Sequence, residues 1–194
     1  MDRRTLFHIP ALLWASELLA QARDVAARAT HPVRLGADRE GVSRSVGLSS
    51  TAFKVLTADS HGALFVMEQT NTRKGGPPRH LHHDEDELFY VVDGVYVVGV
   101  GDRLVRLEAG DCVLGPRGVP HAWSFIGEGT GRLLLSYAPA NRMEAFFRAR
   151  GGQGIKRGQY ASTPQDAAFM QSYGMELIGP PLSPRDWEQA QRPA

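Results

Sequence analysis

The chain has 194 residues, and its 42% hydrophobic content is enough for one domain with a sizeable core, so no second independent domain is expected. Twenty-two basic residues against 21 acidic ones leave a formal net charge of +1, and Lys/Arg runs are absent, which argues against nucleic acid or an anionic membrane surface as the main partner and favours small molecules. Cys112 is the only cysteine, which excludes an intramolecular disulfide and any zinc site built on several thiolates.

The first 22 residues need separate treatment. Paired arginines at Arg3 and Arg4, an apolar run from Ile9 to Ala15 and the small-x-small sequence Ala20-Gln21-Ala22 resemble a twin-arginine export signal, which implies a cleaved leader and a periplasmic protein. His8 and Glu17 interrupt the apolar segment. The alternative is an amphipathic helix with Leu12, Leu13, Leu18 and Leu19 on one stripe, packed on the barrel or on a partner, in a chain that stays in the cytoplasm. In either case the segment is too short and too interrupted to span a bilayer.

A polar, extended arm is expected over residues 23–44, followed by short strands separated by turn signals over 45–140, the pattern of an all-β antiparallel barrel. Phe53–Thr57 and Ala63–Thr70 flank the Ala58–Gly62 turn and read as a hairpin. Leu88–Val92, Tyr96–Val100 and Arg103–Leu107 follow, separated by Asp93-Gly94 and Gly101-Asp102, both good hairpin turns. Cys112–Leu114, His121–Ile126 and Arg132–Ala138 complete the set, with Cys112 expected as a small buried hydrophobe. In the tail, residues 141–194, Asn141 can cap a helix that buries Met143, Phe146 and Phe147 and stops at Gly151. Gly151–Gly154 reads as a hinge; it is no phosphate loop, since it follows no strand of a βαβ unit. Thr163-Pro164 opens a second helix that ends before Gly174, and the segment from Gly179 reads as irregular cover for the barrel.

The chemistry is concentrated in the middle of the chain. His80 and His82 are two residues apart, so in a strand they share a face while His83 points away, and Glu87 on the next strand can bring a carboxylate to the same point. With His121 these make three imidazoles and one carboxylate, a natural ligand set for one divalent transition metal. The Gly75-Gly76-Pro77-Pro78 approach is stiff and should hold the ligands in place before metal arrives. Asp84, Glu85 and Asp86 read as a solvated acidic turn, and His8, His31 and His61 as structural histidines.

These residues resemble the cupins. His80-x-His82, four residues, Glu87, six residues, Gly94 is similar to the first cupin motif, and Gly110, five residues, Pro116-x-Gly118, two residues, His121 is similar to the second. The second motif usually ends in Asn four residues after its His; here Phe125 stands there, which bears on the polarity of the pocket and not on the metal. The resemblance implies a single jelly-roll (double-stranded β-helix) barrel, a metal held by His80, His82, Glu87 and His121, and a homodimer. The ion is one of iron, manganese, nickel, cobalt, copper or zinc, and the ligand set does not choose among them.

Period-two alternation from His121 and Glu87 brings Trp123, Phe125 and Phe89 toward the same interior, as candidate walls of an apolar pocket for a planar, weakly charged molecule. By resemblance to the quercetinase-like cupins, the expected activity is a dioxygenase acting on a small aromatic or enol substrate, with Glu87 as both ligand and general base. The alternatives are a non-catalytic sensor or carrier of a small molecule or metal, and a metal-dependent isomerase or lyase; the fold hosts all three. If the leader is an export signal, mass spectrometry of protein from its native host should find an N-terminus at Arg23, whereas an intact Met1 end in the cytoplasmic fraction supports the docked helix.

Overall fold

The computed structural model describes residues 30–152 and 163–190, together with Glu17, Leu19, Ala20, Ala22, Arg23, Ala26 and Ala27, which are helical. The paired arginines, the apolar run and the end of the Gly151–Gly154 segment lie outside the described residues. Among the described residues no helix is long and apolar enough to cross a membrane.

From Val33 onward the chain forms a jelly roll of two antiparallel sheets. Its strands are β1 (Arg44–Val46), β2 (Ser49–Val55), β3 (Phe65–Asn71), β4 (Pro78–His82), β5 (Asp86–Asp93), β6 (Val95–Val100), β7 (Arg103–Glu108), β8 (Cys112–Gly115), β9 (His121–Phe125), β10 (Gly131–Ala138) and β11 (Met175–Pro181). Among the described residues after β10 there are three helices: α1 (Met143–Gly152), α2 (Pro164–Gln171) and α3 (Pro184–Gln189). One sheet runs β1-β2-β3-β10-β5-β8 and the other β11-β4-β9-β6-β7.

Alternating side chains of the two inner faces make the core. Phe53, Phe65, Met67, Phe89, Leu133 and Leu135 come from the first sheet and meet Tyr96, Val98, Leu107, Trp123 and Phe125 from the second, all buried. Burial of this apolar area away from water is the main favourable term holding the sheets together. At one end of this interior, Asn71 accepts from Ser49 Oγ at 2.5 Å and donates to Tyr96 Oη at 2.9 Å, so the buried polar groups there satisfy one another.

Several expectations are corrected. The arm is not uniformly extended: Arg23, Ala26 and Ala27 are helical, and residues 33–43 lie as turns on the outer face of β2 and β3. Lys54 Nζ there donates to the carbonyl oxygens of Arg34 and Ala37 and pairs with Glu68 at 2.9 Å, an ion pair that neither segment could hold alone. Gly101-Asp102 is a true hairpin turn, because β6 pairs with β7, but Asp93-Gly94 carries the chain from one sheet to the other. Gly94 has φ +86°, and a side chain there would run into Gly131 of the opposite connection. Cys112 is exposed, because β8 is the edge strand of its sheet and Cys112 takes the outward position opposite Tyr90.

In the tail, Thr163 caps α2 as its side chain accepts from the Asp166 amide, with Pro164 in the first turn. Asn141 does not cap α1. Its φ is +38° and its side-chain amide donates to the Asp84 carbonyl, while α1 begins at Met143 and continues through Gly151 to Gly152. The segment from Gly179 is not irregular either: its first residues end a strand that begins at Met175, and Pro184–Gln189 form α3. That strand, β11, is paired with β4 so that Met175 faces His82 and Leu177 faces His80. Its prolines are tolerated because β11 is an edge strand.

Gly76 shows how tightly the approach to β4 is packed. Gly75 and Phe125 exchange backbone hydrogen bonds at 3.0 and 2.9 Å, which presses Gly76 onto the Trp123 carbonyl so closely that an added Cβ would fall on that oxygen. Gly76→Ala should therefore cost at least about 3 kcal/mol, the upper end of ordinary overpacking, because backbone must move. Chemical denaturation should show a clear loss in midpoint, while Gly129→Ala serves as a control: nothing occupies the space beside Gly129, so only its positive φ is strained.

Candidate metal centre

β4 and β9 lie side by side in one sheet with His80 opposite His121, and β5 lies in the other sheet with Glu87 opposite Tyr137. Three imidazoles from one sheet thus meet one carboxylate from the other across the interior. The candidate donor atoms of His80, His82, Glu87 and His121 all lie within 4.8 Å of one another. His82, Glu87 and His121 are essentially inaccessible to solvent.

The distances suit a common ion. Glu87 Oε2 stands 3.3 Å from His82 Nε2 and 3.1 Å from His121 Nε2. Donors each about 2.1 Å from one ion and roughly at right angles would stand about 3 Å apart. These three atoms also have no hydrogen-bond partner although buried, a costly arrangement unless something electron-poor sits between them. The opposite ring nitrogens are engaged: His80 Nδ1 lies 2.8 Å from the Pro78 carbonyl oxygen and His121 Nδ1 3.0 Å from that of Val119. As N–H donors these leave each Nε2 lone pair aimed inward. Among the described residues, the residues present fit a single divalent transition metal.

The second glycine-rich segment supports this set from behind. Gly118, with φ +72°, donates its amide to the His82 carbonyl at 2.7 Å. Gly115 leaves room for the His121 ring, which would otherwise meet a Cβ at 3.0 Å. Arg117 donates backbone and side-chain N–H groups to Asp86, next to Glu87, at 2.9–3.1 Å, and these bonds hold the Asp86 carboxyl down at about 2.

Electrostatics follow from the geometry. Burial and the neighbouring His121 and His82 rings push His80 down to about 3, so it is neutral and ready to bind. Burial alone would lower His82 as well, but the Glu85 and Glu87 carboxylates outweigh it and push the ring up to about 9. Burial would likewise raise Glu87, yet the His121 and His82 rings hold it well below the usual carboxylate range. Tyr137 is pushed well above its ordinary value by burial and by Glu87, so it remains a phenol and donates to Glu87 Oε1 at 2.8 Å.

The acidic turn is the clearest departure from expectation. Asp86 is tied to Arg117, the Asp84 carbonyl accepts from Asn141, and Glu85 is 1% exposed with its carboxylate 3.9 Å from His82 Nδ1. Glu85 is turned inward behind His82, a candidate ligand, on the side from which a carboxylate could orient the ring. His83 faces outward near Glu176, as alternation requires. Tyr137 is the other residue the motifs miss. Its only sequence signal is its inward place in the Leu133-x-Leu135-x-Tyr137 alternation of β10.

Beside the centre is a cavity of about 70 Å³. Trp123 lines it, with Leu135, Met175 and the α1 side chains Met143, Phe146 and Phe147. Of the three expected aromatic walls only Trp123 is there. Phe89 packs edge-on against the His121 ring at 5.6 Å, and Phe125 is buried beside Tyr96 at 5.3 Å, where Gly127 and Gly131 make room for its ring. Their places are taken by aromatics of α1, which alternation within the barrel strands cannot reveal.

Residues 68–137 match the family model described as "Cupin domain". No curated protein matches the chain. Solved structures similar to it include KdgF from Halomonas sp., at 20% identity over 57% of this chain and 94% of that one with a TM-score of 0.48. An RmlC-like cupin from Shewanella frigidimarina is similar at 19% identity over 59% and 96% of the two chains, with a TM-score of 0.47. A predicted oxalate decarboxylase from Thermotoga maritima is 18% identical over 47% and 80%, with a TM-score of 0.45.

Replacing His80, His82 or His121 with Ala should sharply lower the metal content of purified protein, whereas His83→Ala should leave it unchanged; elemental analysis distinguishes them. Glu85→Ala should weaken metal affinity about 10–100-fold, the usual scale for losing a group that orients a ligand. Because His82 holds its proton up to about 9 in the metal-free protein, a bound ion must displace it. Metal affinity should then fall about tenfold for each pH unit below that value, and calorimetry in buffers of different ionisation enthalpy should count about one proton released per ion.

Proposed function

The chain belongs to the cupin superfamily, and on that premise we propose that it is a metal-dependent dioxygenase acting on a compact enol or phenol. The observation that carries this reading is the carboxylate of Glu87, whose two oxygens do different things. Oε2 faces His82 and His121, and Oε1 accepts from Tyr137. A divalent transition metal held by His80, His82, Glu87 and His121 supplies Lewis acidity toward a substrate oxygen and, if redox-active, a means of engaging O2.

The protein's own groups then have defined tasks. Glu87 is ionised, and because its carboxyl is held well below the usual range it is a weak base, so it would take the proton of an enol or phenol hydroxyl brought to its Oε2 side only where a bound metal has made that hydroxyl acidic. Tyr137 keeps its own proton and fixes the carboxylate plane through Oε1. Trp123, Leu135, Met143, Phe146 and Phe147 exclude water, which strengthens the electrostatic interactions inside and protects an activated carbanion-like substrate from stray protons. The cavity of about 70 Å³ is well below the ~300 Å³ of typical drug-sized sites, so a single-ring or smaller substrate suits it and a multi-ring flavonol does not unless α1 moves.

Oxygen uptake by metal-loaded protein against a panel of small enols and phenols tests the proposal. Glu87→Gln should cut turnover by about two orders of magnitude or more in protein whose metal content is measured alongside. Tight binding of a small ligand with no oxygen uptake by any panel member would instead make the protein a sensor or carrier.

A further inference from the structure

Besides Tyr137, which is engaged by Glu87, the cavity is lined by two polar side chains outside the centre: Gln69 on β3 and Arg150 on α1. Gln69 lies on the inward face of its strand, on the alternation shared with Phe65 and Met67, and is 3% exposed. Its Oε1 has no hydrogen-bond partner. Interiors leave few such groups unsatisfied, so a side-chain amide buried in a cavity wall is best explained by a ligand group that completes it.

Arg150 is the one side chain of fixed positive charge among the described residues of the lining. It is held from two sides. Nη2 donates to Asp166 Oδ1 of α2 at 2.7 Å, and the guanidinium carbon lies 5.4 Å from the centre of the Phe169 ring. Nε and Nη1 make no hydrogen bond among the described residues, so an oriented guanidinium keeps donors available to an anion. A neutral aromatic ligand would require neither group. Apart from the centre and Tyr137, the rest of the lining is largely apolar, so a buried anion would depend on Arg150.

We propose that this cavity selects a compact hydroxy acid or enol acid, with its carboxylate taken by Arg150 and its hydroxyl by Gln69. This rests on the reading that the cavity beside the centre is the substrate site, and it narrows the substrate class within it.

Binding to the full chain loaded with Mn2+ can be measured by calorimetry with three probes: lactate, propionate (which lacks the hydroxyl) and hydroxyacetone (which lacks the carboxylate). Arg150→Met should weaken lactate about tenfold or more while changing hydroxyacetone little, since charge-assisted pairing is lost only where a carboxylate exists. Gln69→Leu should weaken lactate and hydroxyacetone but leave propionate nearly unchanged. Arg150→Lys keeps a positive charge beside Asp166, so lactate should bind more tightly to it than to Arg150→Met; this separates loss of the charge from loss of helix packing. The proposal is overturned if lactate does not bind the metal-loaded parent, or if neither Arg150→Met nor Gln69→Leu alters lactate affinity in protein of normal metal content. Oxygen uptake with a neutral enol that Arg150→Met leaves undiminished would likewise overturn it while sustaining the oxygenase. Lactate binding with these variant effects but without oxygen uptake by any hydroxy or enol acid would sustain it and remove the oxygenase.

Discussion

Glu87 reaches from the six-stranded sheet to the histidines of the five-stranded sheet, and the chemistry of the interior depends on that crossing. A carboxylate facing His82 and His121 is stable in an apolar interior only because opposite partial and full charges surround it. Tyr137 takes its second oxygen, and the Nδ1 atoms of His80 and His121 are settled on backbone carbonyls, so Glu87, His80 and His121 each keep one candidate coordinating atom and little freedom to turn. The same crossing ties the two halves of the jelly roll together at the centre, where hydrophobic packing alone would not fix the register of polar groups. Three imidazoles and one carboxylate in such a place make a preorganised site.

What surrounds the centre is built from outside the barrel motif. β4 carries two of the histidines but meets β9 at a single residue pair; most of its backbone pairing is with β11, more than ninety positions later in the chain. The helix α1 supplies Met143, Phe146 and Phe147 to the cavity and α2 supplies Met170, and the Arg150–Asp166 pair joins the two helices. The C-terminal segment therefore finishes both the strand that holds the ligands and the roof over them. The size and polarity of the cavity are set largely by residues that do not belong to the motifs carrying the candidate ligands.

Some features were readable before folding because they are local. The two-residue spacing of His80 and His82 fixes a shared face in any strand, and Gly101-Asp102 marks a hairpin turn whose glycine takes positive φ. Most barrel strands could be located to within a residue or two from alternation and turn residues, and Thr163-Pro164 announced its helix through capping chemistry. The pocket walls were less legible. Alternation said correctly that Phe89, Trp123 and Phe125 point inward, but not which of them reaches a cavity and which fills the core, because that depends on the glycines and aromatics packed opposite.

The sequence by itself indicated the four candidate ligands, the all-β class and the positions of most barrel strands along the chain, since these follow from backbone periodicity and side-chain chemistry over a few residues. Only the tertiary structure decided that Glu85 turns inward behind His82, that Tyr137 holds Glu87, that Cys112 sits on an exposed edge, and that β11 pairs with β4. Each of these depends on what a distant segment places against the residue. Burial, hydrogen bonding and strand pairing are properties of that neighbour as much as of the residue itself.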